Sequence, residues 1–225
     1  MTTGETARDD TAGDNAATDG ASDLFSFDRD RSAYAALVGD DREEPAVVRA
    51  AATLDLDTSP LSAYAALADR SEYNFLLESA EKVASSDPDG AFTAASDAER
   101  HARYSFVGYN PEAIISVYPD RTEVDRLGPA GDRVVDAYRG DGATDGDILD
   151  RLRRGLPRLE QRGFPPSDRR TLSGGLVCFL AHEAVYDLVL EEVGRERPPT
   201  DVPDAQFALT TRTLVFDDAE GTVEL

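Results

Sequence analysis

Glu78 and Ser79 end the stretch NFLLES (74–79), and Arg103 and Tyr104 lie within RHARYSFVGYNP (100–111). A carboxylate, a hydroxyl, a guanidinium and a phenol on two apolar segments could form the polar end of a small-molecule pocket. Strand alternation puts Phe75, Leu77 and Ser79 on one face and Leu76 and Glu78 on the other. On the second segment it groups Arg103, Ser105 and Val107 opposite Tyr104, Phe106 and Gly108. A hydroxyl at the end of an apolar row needs a partner, either a ligand or the backbone. Arg103 could receive a ligand's carboxylate in a pocket wall where Gly108 permits close approach. The alternative is an ordinary strand in which Arg103 pairs with an acid at the surface. Spacing alone favours the alternative.

The other reactive side chains fit structural roles better. HEAVYD (182–187) lacks the second histidine of a zinc-protease helix, because Tyr186 stands at the required position. With only two histidines in the chain, a histidine-based metal site is not expected. Cys178 lies in an apolar run without a second cysteine or a basic neighbour, the setting of a small core residue rather than a nucleophile. Gly174 and Gly175 lack the third spaced glycine of a dinucleotide loop. Neither a Ser-His-Asp constellation nor a phosphate-binding loop occurs, so no self-contained catalytic apparatus is visible.

The formal net charge of −22 over 225 residues excludes nucleic acid and anionic membrane surfaces as expected partners, since both would be repelled. Lys82 is the only lysine, and the remaining side-chain cations apart from histidine are arginines. Abundant carboxylates with almost no lysine point to a haloarchaeal protein whose acidic surface stays hydrated in concentrated salt. A single cysteine excludes an intrachain disulfide, as in a reducing compartment. No apolar run reaches the roughly 18–20 residues of a membrane span, and no basic-then-apolar leader opens the chain. A cytoplasmic protein is expected.

Residues 1–44 read as an acidic, largely disordered tail. Residues 1–23 contain no large apolar side chain after Met1 to offset ordering entropy, and a short helix is conceivable within 23–39. Order is expected from PAVVRAAATLDLD (45–57), a strand pattern. Ser59 should N-cap a helix that starts at Pro60. Strands then follow at YNFLLES, ARYSFVGY, EAIISVYPD, TEVDRLG and RVVDAYRG, separated by turn signals such as Asn110-Pro111. Their close succession implies antiparallel pairing. A helix is expected over 144–160, weakened by Gly155 and Pro157. GGLVCFLAH (174–182) has the nearly continuous apolar pattern of a central strand. EAVYDLVLEEVG behind it reads as a helix capped by Gly194. PDAQFALTTRTLVFDD (203–218) reads as one long strand. VEL (223–225) reads as the start of a hairpin's return strand, with unpaired edge groups that suggest a longer protein.

FLLES, ARYSFVGYNP, GGLV, AVYD and PDAQFALTTRTLVFD, in this order, resemble the N-terminal region of anthranilate synthase component I, a chorismate-utilising family. The likeness runs from about residue 45 to 225. It implies an α+β fold, a large sandwich-like antiparallel β-sheet region with packed helices, truncated before the C-terminal chorismate-binding half. It also implies the conversion of chorismate and glutamine or ammonia to anthranilate and pyruvate, with Mg²⁺ and a glutamine amidotransferase subunit as partner. In this family the N-terminal part binds L-tryptophan for feedback inhibition. The resemblance maps that site onto Leu77, Glu78, Ser79, Arg103 and Tyr104, whereas catalytic and Mg²⁺ residues are expected outside this chain. A looser likeness to the sister aminodeoxychorismate synthase component I, or a non-catalytic remnant of the family, are the alternatives. The sequence departs from the family pattern at Cys178-Phe179 and at His182-Glu183.

Overall fold

The computed structural model describes residues 24–39, 46–78, 103–132, 146–155, 159–165 and 172–225. The N-terminal strands are β1 (Phe25–Phe27), β2 (Ala46–Val48), β3 (Ala52–Leu54) and β4 (Asn74–Glu78). The middle strands are β5 (Tyr104–Tyr109), β6 (Ala113–Val117), β7 (Thr122–Arg126) and β8 (Glu160–Arg162). The last are β9 (Gly175–Leu180), β10 (Ala205–Thr210), β11 (Thr213–Asp217) and β12 (Thr222–Glu224). Three helices, α1 (Arg31–Val38), α2 (Pro60–Ala68) and α3 (Ile148–Gly155), accompany a π-helical turn at Tyr186–Leu190.

The strands form a six-stranded sheet in the order β1-β3-β12-β11-β5-β4 and a four-stranded sheet in the order β7-β6-β10-β9, both antiparallel. β2 and β8 make a separate parallel pair. The fold is thus α+β with large antiparallel sheets, as expected.

The two sheets are joined by a corner that both central ribbons turn together. β5 passes into β6 and β10 into β11, while hydrogen bonds continue between them through the bend: the Tyr109 amide donates to the Arg212 carbonyl (3.4 Å) and the Glu112 amide to the Leu209 carbonyl (2.8 Å). Asn110 has φ +45°, a left-handed conformation that asparagine tolerates better than most residues. Asn110-Pro111 is therefore a corner between sheets, and 203–218 is two strands in different sheets. Ser71 pins the corner: its hydroxyl accepts from the Asn110 amide (2.9 Å) and donates to the Tyr73 carbonyl (2.5 Å).

Buried Glu112 organises the loops behind the corner. Its carboxylate accepts from the Ala130 amide (3.1 Å) and the Thr211 hydroxyl (3.3 Å), and the Arg212 guanidinium lies 3.6 Å away. Its carbonyl accepts from the amides of Leu127 and Gly128 (3.0 Å each). A Cβ at Gly131 would lie 2.3 Å from that carbonyl oxygen, so only glycine permits this approach.

Each sheet buries one face under helical structure. On the six-stranded sheet Val107, Leu214, Phe216 and Val223 pack with Ala63 of α2, flanked by Tyr64, Leu67 and Leu76. On the four-stranded sheet Ile115, Val117 and Phe207 pack with Ile148 of α3 and Ala184. Arg197 and Asp204 form a bidentate pair beside this core (2.6 and 2.7 Å), with Asp204 almost fully buried. Arg151, also buried, donates to the carbonyls of Tyr118 (2.7 Å) and Pro119 (3.3 Å).

Several expectations change. Order begins before residue 45, because β1 pairs with β3 and α1 follows with Asp30 as N-cap. Residues 45–57 divide into β2 and β3, which belong to different sheets. The helix expected over 144–160 spans only 148–155, and 160–162 is drawn into the pair with β2. The helix expected behind β9 is a single π-helical turn whose C-cap is Glu191 rather than the expected Gly194; Gly194, with φ +74°, closes the turn that follows. β12 is an inner strand held by β11 and β3, so its edges are not open. β9 lies at the edge of its sheet rather than in the centre. The strand expected at 133–140 lies outside the described residues.

Candidate functional site

A cleft of about 380 Å³ opens between the faces of the two sheets that the helices leave uncovered. The pairing register separates these faces. Leu76 stands opposite Val107, and Val107 opposite Leu214, so all three project into the core under α2. Leu77 stands opposite Phe106 and projects the other way. On β10, Phe207 and Leu209 point into the helical core, which leaves Gln206, Ala208 and Thr210 to line the cleft.

The first sheet contributes Phe75, Leu77 and Gly108 to the cleft, and the second contributes Ile114, Val177 and Ala208. Gln206 supplies a polar group whose Nε2 donates to the Ser116 hydroxyl (3.1 Å). Apolar walls with a few polar groups suit a small ligand with an aromatic or aliphatic body.

The five residues mapped by resemblance divide between faces. Leu77 lines the cleft and is 45% exposed. Tyr104 shares its face and stacks on Phe106, with ring centroids 6.3 Å apart and planes at 30°. Glu78 is exposed on the opposite face of β4. Ser79 lies outside the described residues. Arg103 is committed to the chain itself. Its guanidinium grips Asp217 with two hydrogen bonds (2.7 and 2.5 Å) and lies 5.0 Å from the Tyr104 ring centroid. Arg103 is therefore paired with an acid, as spacing favoured, but the pair is largely buried rather than at the surface.

The space over Gly108 is likewise filled by the protein. A Cβ there would lie 2.0 Å from a carbon of the Phe75 ring, so the missing side chain lets Phe75 lie flat across the strand and form a cleft wall. Cys178 is exposed on an edge strand of the described sheet instead of filling a core, and partial desolvation by its neighbours still pushes its thiol pKa up. Sequence reasoning missed the contribution of the second sheet. Its signal was present in AQFALT (205–210), where one alternate row is large and apolar and the other is small or polar.

The side-chain hydrogen bonds that Arg103 donates to Asp217 drive the Arg103 pKa upward against its burial. At Asp217, burial pushes the carboxyl up, but hydrogen bonds from Arg103 and the amides of Glu220 and Ala219, together with the Arg103 charge, hold it below its ordinary value. A depressed folded-state pKa contributes stability that is complete above the unfolded value of about 4 and is lost as pH falls through the folded value. Asp217→Asn should thus be less stable than the parent near neutrality, and the difference should shrink under acid. Urea denaturation across about pH 2–6 measures it; a gap that stays constant would contradict this role.

Gly108→Ala should force the Phe75 ring to move and cost about 1–3 kcal/mol. Phe75→Leu in the same chain should recover part of that cost. Chemical denaturation of both single variants and the double variant gives the coupling, and strict additivity would contradict the contact.

No protein-family model matches the chain. It is 58% identical over 200 residues to the anthranilate synthase component 1 of Haloferax volcanii, a match that covers 88% of this chain and 37% of that protein. It is 54% identical over 202 residues to a component 1 of Halobacterium salinarum, covering 88% and 37%. It is also 53% identical over 189 residues to one from Haloarcula marismortui, covering 81% and 34%. These relatives are haloarchaeal, in agreement with the acidic, lysine-poor composition. The chain spans about a third of their length and matches their N-terminal region. Over most of its length the chain is thus homologous to the N-terminal region of these anthranilate synthase component 1 proteins.

Proposed function

We propose that this chain is the tryptophan-sensing N-terminal part of an anthranilate synthase component I in a haloarchaeal cytoplasm, and that the cleft between the sheets receives L-tryptophan. The observation that carries the reading is Leu77. The residue that the resemblance places in the effector site forms a wall of the largely apolar cleft. An indole would find its apolar surroundings in Phe75, Leu77, Ile114 and Val177. Glu78 and Ser79 are proposed for the ammonium end. Because β4 is an edge strand, Glu78 reaches such a group only around its open side, at the mouth of the cleft. Tyr104 supports the wall through Phe106, and Arg103 holds it in place through Asp217.

The reaction of chorismate with ammonia or glutamine, the amidotransferase subunit and Mg²⁺ belong in this proposal to the complete protein. Among the described residues no three His, Cys, Asp or Glu side chains form a group able to hold a metal. Among the described residues no helix is long and apolar enough to cross a membrane.

The test is titration of the chain with L-tryptophan in concentrated KCl, followed by calorimetry and by nuclear magnetic resonance of Phe75, Leu77, Ile114 and Val177. Specific shifts at these residues are expected, with affinity weaker than about 10 µM, or about −7 kcal/mol. Leu77→Asp should abolish the shifts. Their absence in the parent at saturating tryptophan would overturn the sensing role. In a separate assay with chorismate, ammonia and Mg²⁺, the chain alone should release no fluorescent anthranilate. Turnover would place the catalytic apparatus within this chain.

A further inference from the structure

On the four-stranded sheet the floor of the cleft is a narrow slot. Ala208 on β10 stands opposite Ile114 of β6 on one side and Val177 of β9 on the other. All three line the cleft, so a methyl group lies between two larger aliphatic walls. Residues paired across strands share a face, and the next pairing on this face sets Gln206 between Ser116 and Phe179. Two residues along a strand advance about 7 Å, close to the length of a two-ring aromatic system. A flat ring resting on Ala208 therefore brings its edge to Gln206.

The Gln206 carboxamide is half committed. Its Nε2 donates to the Oγ of buried Ser116 (3.1 Å), which fixes the orientation of the amide. Its Oε1 accepts no hydrogen bond from any described residue and is not sealed from solvent. Thr210, the other polar side chain on this face of β10, turns to its own strand, where its hydroxyl donates to the Ala208 carbonyl (3.5 Å). Gln206 Oε1 is thus a neutral, oriented acceptor at one end of an apolar slot.

We infer that Gln206 sets the specificity of the cleft: its Oε1 accepts a hydrogen bond from a ring N–H, so the cleft favours an indole over an apolar ring of the same shape. The inference rests on the tryptophan site proposed above and assigns the group that distinguishes rings within it. A ring without a donor would strip water from Oε1 and return no partner, and a site built around a hydrogen bond discriminates against such a ligand. A carboxylate in the same place would be penalised by desolvation among Ile114, Val177 and Phe179, whereas an amide is tolerated.

Calorimetric titration of this chain in concentrated KCl compares L-tryptophan with 3-benzothienyl-L-alanine, in which sulfur replaces the ring N–H at nearly the same size. Tryptophan should bind about 5- to 10-fold more tightly, the range of one neutral hydrogen bond. In the parent, the side-chain carbonyl resonance of Gln206 should move with tryptophan and stay in place with the analogue. Gln206→Met keeps the length of the side chain and removes the acceptor, so tryptophan alone should weaken and the preference should vanish. Ser116→Ala frees the amide to rotate and should lower the preference part of the way. A purely structural role for Gln206 would weaken both compounds alike and leave their ratio unchanged.

Equal affinity of the two compounds in the parent would overturn the inference and leave the tryptophan site standing. A preference retained in Gln206→Met would assign the discrimination to another group and overturn it as well. Binding of neither compound would remove the tryptophan site and the role of Gln206 with it. The affinity ratio and the carbonyl resonance are read in the parent, so they decide the matter even where a substitution unfolds the sheet.

Discussion

The fold depends on a corner that two ribbons must turn at the same place. Asn110 can turn the first because it tolerates a left-handed backbone, and Thr211-Arg212 turn the second alongside it. If one ribbon turned a residue earlier, every side chain beyond the bend would change face. Phe207 and Ile115 would then leave the helical core of the second sheet. Buried Glu112 opposes such a slip: its carboxylate is tied to Thr211 and Ala130, and its carbonyl to Leu127 and Gly128. A buried carboxylate is costly unless hydrogen-bonded, so Glu112 favours the one register that satisfies it.

The corner also explains why the protein has two small cores with a cleft between them. Each sheet turns its larger apolar row toward helical structure, and the rows left over are short, small or polar on the second sheet. Phe75 partly fills the gap by lying over Gly108. The rest stays open, because Ala208 and Gln206 on β10 do not reach across it. Ion pairs hold the surroundings firm. Arg103 with Asp217 and Arg197 with Asp204 are both bidentate, the geometry for which arginine is better suited than lysine. At molar salt the Debye length falls to about 3 Å. Contacts of this length persist under such conditions while repulsion among distant carboxylates is screened.

Local signals made much of this legible in the sequence. Ser59-Pro60 marked the start of α2, and alternation located the faces of β4 and β5. Long-range choices were not legible. The three-residue strands β1 and β8 lack enough periodicity to stand out, and each exists because a distant partner, β3 or β2, pairs with it. Asn110-Pro111 carried a turn signal, but sequence alone does not tell a turn that ends a sheet from one that joins two. For the candidate site, alternation correctly separated Leu77 from Glu78. It offered no means of knowing that Asp217, more than a hundred positions away in sequence, takes the Arg103 guanidinium.

The position of β12 has a consequence for how the protein comes to be made. β12 lies between β3 and β11, so among the described residues the β1-β3 pair joins the rest of its sheet through residues 223–225. On the ribosome, β1 and β3 emerge well before β12, and β3 waits for about 170 further residues before that neighbour appears. Contacts so distant in sequence form slowly because the intervening loop must be closed first. The four-stranded sheet needs nothing beyond Thr210 and can assemble sooner. The first segments to be synthesised would then be among the last to be locked in place.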